Sequence, residues 1–327
     1  MNSLESKKLA LIRILEILRR YSDANHPLTQ EEIICRLKKD YGISIERKAV
    51  SRNYSLLREA GYEINSSQKG SYLESREFEN SELKVLIDSV LSSKYITAKQ
   101  SSSLIEKLSR LSNVYFKSHI KNVYSVNEWC KTDNQEVFYN IDTVNEAIDL
   151  DKKISFDYNK YGKDKKLHKS SKHVVSPYQL ILQNQRYYLM GKSEKYDDIS
   201  YFRLDRITNM KIENEALVKI NTVKGFERGI DYNEIATTKP YMYSDKPQRI
   251  EIVADVSIID AIVDSFGKDI QISDTGDGKC IISLKSSVMA MEHYAMQYID
   301  TIEIVKPIEL RERIKEKIKN GLRRYKK

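Results

Sequence analysis

Apolar residues recur at helical spacing early in the chain, at Leu11, Ile14, Leu15 and Leu18. That spacing predicts a first helix ending near Tyr21, after which Asp23, Asn25 and Pro27 break the pattern. Thr29 with Glu32 three residues later has the form of a capping box. It opens a second helix that buries Ile33, Ile34 and Leu37 and stops at Gly42, after Lys38-Lys39. Ser44 lies just before a third helix, roughly Glu46 to Ala60, closed by Gly61. Val50, Tyr54 and Leu57, with Ala49, Leu56 and Ala60, form its inner face; Arg47, Lys48, Ser51, Arg52 and Ser55 form the outer one. Strand-like alternation follows in Tyr62-Glu63-Ile64 and Ser71-Tyr72-Leu73, a predicted hairpin with Lys69 at its tip.

Helix, helix, basic helix and hairpin in that order is the layout of a winged helix-turn-helix. The outer face of the third helix offers three cations and two hydroxyls. In a major groove, Arg reads guanine edges while Lys and Ser hold phosphates. Lys69 suits a minor-groove or phosphate contact. For the helix taken alone, a solvated basic face is the better reading. The hairpin behind it favours DNA.

From Asn80 to Asn113 two helical stripes appear: Leu83, Leu86, Ile87, Val90 and Leu91, then Leu104, Leu108 and Leu111. Ser101-Ser102-Ser103 is a candidate cap for the second. Trp129, the chain's only tryptophan, reads as a packing residue. A helix from Ile141 to Leu150 precedes the strand Ile154–Tyr158, in which Ile154 and Phe156 face inward. A lysine-rich loop, Lys160 to Lys172, leads into three short strands between Ser176 and Ile207, with a tight turn at Asn184-Gln185. Beyond an irregular linker over 237–248, the order strand, helix, hairpin (turning at Thr275-Gly276-Asp277-Gly278), helix, strand and final helix is that of a ferredoxin-like βαββαβ sandwich.

Ser176-Pro177-Tyr178, Tyr187-Tyr188-Leu189 and Phe202-Arg203-Leu204-Asp205-Arg206-Ile207 occur in the order and spacing of the WYL domain, which this segment resembles. Tyr187 stands where the naming motif has tryptophan. The resemblance implies a small SH3- or Sm-like β-barrel that senses ligands within bacterial transcription regulators. It implies an effector surface at Tyr178, Tyr188, Arg203 and Arg206, to which Tyr158 adds a stacking ring by its position. Arg203 and Arg206 offer planar forks suited to phosphate or carboxylate. Tyrosines stack on bases, so the expected effector is anionic and nucleotide-like, or a nucleic-acid fragment. The plainer reading of the same residues is that Asp205 neutralises an arginine and the tyrosines fill the barrel. The first segment also resembles the winged helices that precede WYL domains, with Arg52 retained and Ala49 and Asn53 departing from the usual threonine and aspartate. The C-terminal part resembles the WCX-type extension that often follows them.

A net charge of +8 over 327 residues makes the surface attractive to polyanions. No apolar run approaches the ~20 residues of a membrane span, and the basic, interrupted start lacks a signal peptide's apolar core. Cys35, Cys130 and Cys280 are scattered without CxxC spacing, which reads as reduced, mostly buried thiols in a cytoplasmic protein without structural zinc. Asp274-Thr275-Gly276 matches an aspartic-protease triplet but sits in a polar turn, and His168 and His173 read as ordinary loop and strand residues. No HExxH, GxSxG or Walker A pattern appears. An enzyme, a metal and a cofactor are therefore not expected.

The expected architecture is a multi-domain α+β chain. It comprises a winged helix-turn-helix (1–76), a helical connector (77–140), a WYL effector-sensing domain (141–236) and a ferredoxin-like C-terminal domain (237–327). The expected function is a homodimeric, ligand-responsive regulator, a repressor rather than an activator, bound to a (pseudo)palindromic double-stranded operator. Related regulators often sit beside phage-defence operons. The competing function is an RNA- or single-strand-binding module, or a CRISPR-accessory protein, that uses the barrel directly.

Overall fold

The computed structural model describes residues 7–116 and 131–326. Trp129 and Cys130 lie outside the described residues, as do the first six residues and Lys327. The chain is a mixed α and β protein with antiparallel sheets, and it divides into two compact units, Met1–Gln135 and Glu136–Lys327.

In the first unit, α1 (Ala10–Tyr21), α2 (Gln30–Tyr41) and α3 (Arg47–Glu59) pack around Ile14, Leu18, Ile33, Leu37, Val50, Tyr54 and Leu57. Each such side chain, fully buried, contributes about 1.5–3 kcal/mol, so the core outweighs the modest helix propensity of these segments. Both halves of the predicted capping box form: Thr29 Oγ1 accepts from the Glu32 amide at 3.2 Å, and Glu32 Oε2 accepts from the Thr29 amide at 2.8 Å. Gly42 ends α2 in the left-handed region at φ 68°.

Two expectations for α3 fail. Leu56 is 51% exposed, because it lies a further 100° around the helix from the Tyr54 row. Ala60 is exposed because the helix has already ended at Glu59.

Strands β1 (Ile64–Ser67) and β2 (Gly70–Leu73) form the hairpin after α3. Leu28 joins its far side through two reciprocal 2.8 Å hydrogen bonds with Ser71. That approach requires glycine next door: Gly70 has φ +137°, and a Cβ there would sit 2.6 Å from the Leu28 carbonyl carbon and oxygen. Arg58 of α3 fastens the hairpin, its Nη2 donating to the Ile64 carbonyl at 2.8 Å and to Ser66 Oγ at 2.9 Å.

Helices α4 (Asn80–Ser92) and α5 (Ala98–Ser109) follow, with Leu83 and Ile87 packed against Phe116. Thr97, not the serine triplet, caps α5. Its Oγ1 accepts from the Gln100 amide at 3.2 Å, and Ser101 lies inside the helix, 3% exposed. Asn113 donates to Asp23 Oδ2 at 2.8 Å and Tyr115 stacks on His26 at 3.6 Å, tying this segment to the turn after α1.

The second unit opens with α6 (Val137–Asp149), earlier than expected, and then β3 (Lys152–Tyr161), β4 (Leu167–Gln183), β5 (Arg186–Ser193), β6 (Ile199–Arg203) and β7 (Ile207–Ala216). These strands form one antiparallel sheet in the order β6-β5-β4-β3-β7, with a 3-10 turn over Leu204–Arg206 leading from one outer strand to the other. The predicted loop over Lys160–Lys172 is mostly strand, since β3 and β4 extend their pairing to Tyr161↔Leu167 and leave only a short turn. Asn184 and Gln185 take φ 49° and 60°, the two positive values a type I′ hairpin turn needs. At Gly191 a Cβ would meet Val175 Cγ1 at 2.4 Å and the Ser176 carbonyl at 2.7 Å, so glycine allows β5 to cross β4 closely where the ladder slips between Pro177 and Gln179.

A short helix not foreseen, α7 (Tyr232–Thr238), is capped by Asp231, whose carboxylate accepts from the Glu234 amide at 2.9 Å. The rest comprises β8 (Pro247–Asp255), α8 (Ile259–Phe266), β9 (Gln271–Asp274), β10 (Lys279–Ser287), α9 (Val288–Gln297), β11 (Ile302–Lys306) and α10 (Ile308–Tyr325). The sheet order is β11-β8-β10-β9, with Ile252, Ile282, Ile262, Tyr294 and Leu310 in the core beneath it. Of the described cysteines, Cys280 is buried as expected but Cys35 is exposed, because its neighbours Ile33 and Leu37 take the inner face of α2.

Candidate nucleic-acid interface and effector site

On α3, the buried row Val50, Tyr54, Leu57 leaves Arg47, Lys48, Ser51, Arg52 and Ser55 exposed on the opposite side. Ser51 Oγ accepts from Gln30 Nε2 at 2.9 Å, linking this face to the start of α2. Arg47 meets Glu31 only loosely, at 3.5 Å with both side chains largely exposed. Such a pair contributes little, and it leaves the Arg47 fork free to be exchanged. Lys48 and Arg52 make no ion pair among the described residues. Lys69 is exposed at the hairpin tip, where its amide donates to Ser67 Oγ at 3.2 Å. The five α3 residues thus form one polar, cationic face on a rigid helix.

In the second unit, alternation along β5 and β6 puts Arg186, Tyr188 and Arg203 on one face, with Tyr188 directly opposite Arg203 in the ladder. Asp205, 2% exposed, lies between the two arginines. Arg203 donates from Nε to Oδ1 at 3.1 Å and from Nη2 to Oδ2 at 2.7 Å, while Arg186 Nη1 donates to Oδ2 at 2.9 Å. Burial works most strongly against the Arg203 charge, but the hydrogen bonds to Asp205 and that carboxylate's charge, with smaller contributions from Tyr188 and Tyr158, together hold its pKa above the usual value. For Arg186, burial and then the neighbouring Arg203 push the pKa down. Burial likewise raises the phenols of Tyr158 and Tyr188, opposed by Arg206 and Arg203 for the first and by Arg203 and Arg186 for the second.

Arg206 differs from its neighbours. Its Nε is buried without a hydrogen-bond partner, and its guanidinium stands 6.0 Å from the centre of the Tyr161 ring. Two guanidinium groups share one carboxylate here, and a third has a donor unspent. Arg206, which no carboxylate neutralises among the described residues, is the guanidinium of this cluster most able to pair with an anion.

The structure brings together Tyr158, Tyr188, Arg203 and Arg206 of the predicted effector set and adds Arg186 and Tyr161. It does not bring in Tyr178. The Tyr178 hydroxyl donates to the Val218 carbonyl at 2.6 Å, and Ser176 Oγ accepts from the Val218 amide at 2.9 Å, so two residues of the Ser-Pro-Tyr motif clamp one residue of the following segment. The ring of Tyr178 packs against an apolar cluster that includes Met190, Ile199 and Val223. The resemblance that set it beside the arginines does not register the bulge between Pro177 and Gln179, where the ladder skips Tyr178. Arg186 carried a usable signal, its two-residue spacing from Tyr188 on the same strand.

No group of histidine, cysteine and acidic side chains suited to a metal occurs among the described residues, and no described helix is long and apolar enough to cross a membrane. His168 pairs with Asp164 at 2.8 Å in the exposed β3–β4 turn.

No curated protein matches the chain. Among solved structures it is similar to proteasome accessory factor B/C (PafBC) of Arthrobacter aurescens, with 14% identity and a TM-score of 0.30, over 100% of this chain and 50% of that one. The chain thus spans about half the length of that protein. It is also similar to a CRISPR Cas-related protein, with 13% identity and a TM-score of 0.38, over 99% of this chain and 87% of the other. The model of the WYL domain family matches residues 139–212, so the segment that runs from α6 into β7 and holds Arg186, Arg203, Asp205 and Arg206 is similar to a WYL domain.

Proposed function

We propose that the protein is a ligand-responsive, DNA-binding transcription regulator. In this reading 1–76 is a winged helix-turn-helix, 77–140 a connector, 141–236 a barrel-type sensor and 237–327 a ferredoxin-like, WCX-type domain. Arg47, Lys48, Ser51, Arg52 and Ser55 enter the major groove, and Lys69 of the hairpin contacts the neighbouring backbone. The observation that carries the reading is the division of α3, whose inner row is fully spent on the core while the cations and hydroxyls of the other face are exposed and able to meet DNA.

The sensor's ligand is an anion with a planar group to stack, such as a nucleotide or a short nucleic-acid fragment. It docks on Arg206, with Arg186 and Arg203 behind it and Tyr158 and Tyr188 alongside. The protein acts as a homodimer on a (pseudo)palindromic operator, and as a repressor whose affinity falls when the effector favours a second orientation of the DNA-binding domains. Such an effect extends only as far as the effector's preference for that state. The protein is not an enzyme and works in the cytoplasm.

Selection from a random duplex library tests the proposal. Recovery of a two-fold symmetric site, bound less tightly as short oligonucleotides are added, is the expected result. Tight binding to single strands with no duplex preference would instead favour a module that uses the sensor surface directly on nucleic acid.

A further inference from the structure

A cavity of about 220 Å³ lies beside β6, lined by Tyr201 and Ile199 of that strand, by residues on and before α7, and by the start of β8. None of Arg186, Arg203 or Arg206 lines it. Lys239, only 7% exposed, closes one side. Its ammonium donates to the carbonyls of Tyr243 at 2.9 Å and Asp245 at 2.7 Å, and stands 5.3 Å from the centre of the Tyr201 ring. An ammonium has three donors, so one is left. The Tyr201 hydroxyl is buried with no hydrogen-bond partner. Burial raises the pKa of that phenol, which keeps it a protonated donor.

Four acids line the cavity. Asp198 meets Lys246 only loosely, at 3.4 Å with both side chains largely exposed, and Glu234 pairs with Lys285. Asp231 caps α7, and Asp245 accepts from Ser287 Oγ at 2.6 Å and the Met289 amide at 3.2 Å. Lys239 hydrogen-bonds carbonyls and no carboxylate among the described residues; burial lowers its pKa, and the charges of Asp245, Glu234 and Asp198 offset that only in part. A buried donor left unmatched costs free energy that a ligand acceptor recovers. Ile199, Phe226, Ile235 and Pro247 supply apolar wall, and Lys224, Thr238 and Ser244 line the cavity beside them. The volume is below that of drug-sized sites.

We propose that this cavity binds a small monocarboxylate, whose oxygens accept from the Lys239 ammonium and the Tyr201 hydroxyl while its apolar body lies against Ile199, Phe226, Ile235 and Pro247. The site is distinct from the arginine cluster, and it stands whether or not that cluster senses an effector.

Isothermal titration of the full chain with acetate, butyrate and benzoate, and with benzamide as the uncharged match for benzoate, tests it. At least one acid should bind with Kd about 1 mM or tighter, with benzamide about tenfold weaker than benzoate. Tyr201→Phe keeps the ring and should weaken the acid about tenfold, while Arg206→Ala should leave it unchanged. Lys239→Met should abolish binding. Because that change also strips two part-buried carbonyls of their donor, Tyr201→Phe is the deciding variant if Lys239→Met fails to fold. Absence of binding by all three acids, or equal binding by Tyr201→Phe, overturns the proposal. Loss in Arg206→Ala with retention in Tyr201→Phe assigns the acid to the other cluster and overturns it as well.

Discussion

The Arg203 guanidinium grips Asp205 with two hydrogen bonds, Nε to Oδ1 at 3.1 Å and Nη2 to Oδ2 at 2.7 Å, from two residues away in the chain. Arg186 holds the same carboxylate from the neighbouring strand. A buried acid flanked by two cations fixes the geometry of the surface that Arg206 and the tyrosines present. It also makes the arginines unequal: Arg203 is engaged in structure, whereas Arg206 keeps an unpartnered Nε.

Replacing Asp205 by alanine leaves two part-buried guanidinium groups facing each other. Stability should fall by about 2–4 kcal/mol, somewhat under the full penalty for breaking a buried pair because the arginines keep some solvent. Urea denaturation measures this, and an unchanged midpoint would show that the pairing is not structural.

Arg206→Ala should cost less than about 1 kcal/mol of stability, yet weaken binding of a short oligothymidylate about tenfold. Arg203→Ala should lose both stability and binding. Fluorescence anisotropy beside a thermal melt separates the two, and equal behaviour of the variants would contradict the inequality of the two arginines.

At Gly70, alanine combines a positive φ with a 2.6 Å clash against the Leu28 backbone. The penalty should be about 2 kcal/mol or more, concentrated in the first unit. Hydrogen exchange should show the amides of Ser71 and Leu28 losing protection together. Retained protection would mean that the Leu28 bridge does not depend on this glycine.

His173 lies 5% exposed among Phe156, Tyr158 and Phe202, and burial, then the charge of Lys195, lower its pKa. With the folded value depressed, the neutral ring favours the folded state. Its contribution is therefore complete above the unfolded pKa of about 6.5 and is lost as pH falls toward the folded value. Stability should decline below about pH 6.5 in the native protein and less steeply in His173→Gln, as read by urea midpoints across that range. Parallel profiles would exclude the histidine as the source.

Much of the first unit is legible in the sequence because its signals are local. Thr29 and Glu32 cap a helix three residues apart, and Val50, Tyr54 and Leu57 follow one face. Leu56 misleads, since a hydrophobic residue beside the stripe has the same composition as one within it. The serine triplet masks the true cap at Thr97, whose partner Gln100 completes a box that a glutamine serves as well as a glutamate. In the effector region, one bulge after Pro177 suffices to send Tyr178 to Val218 instead of to the arginines. Strand pairing brings Arg186 and Asp205 together over 19 residues, a contact no local pattern encodes.

The central claim, that α3 reads duplex DNA, is tested most directly by duplex affinity against salt for the native chain and Arg52→Ala. The native protein should bind its selected site with an affinity that falls steeply with ionic strength. Arg52→Ala, with its circular dichroism unchanged, should bind at least about tenfold more weakly and discriminate less between sites. Equal affinity and selectivity in the two proteins would contradict the assignment of α3 as the recognition helix.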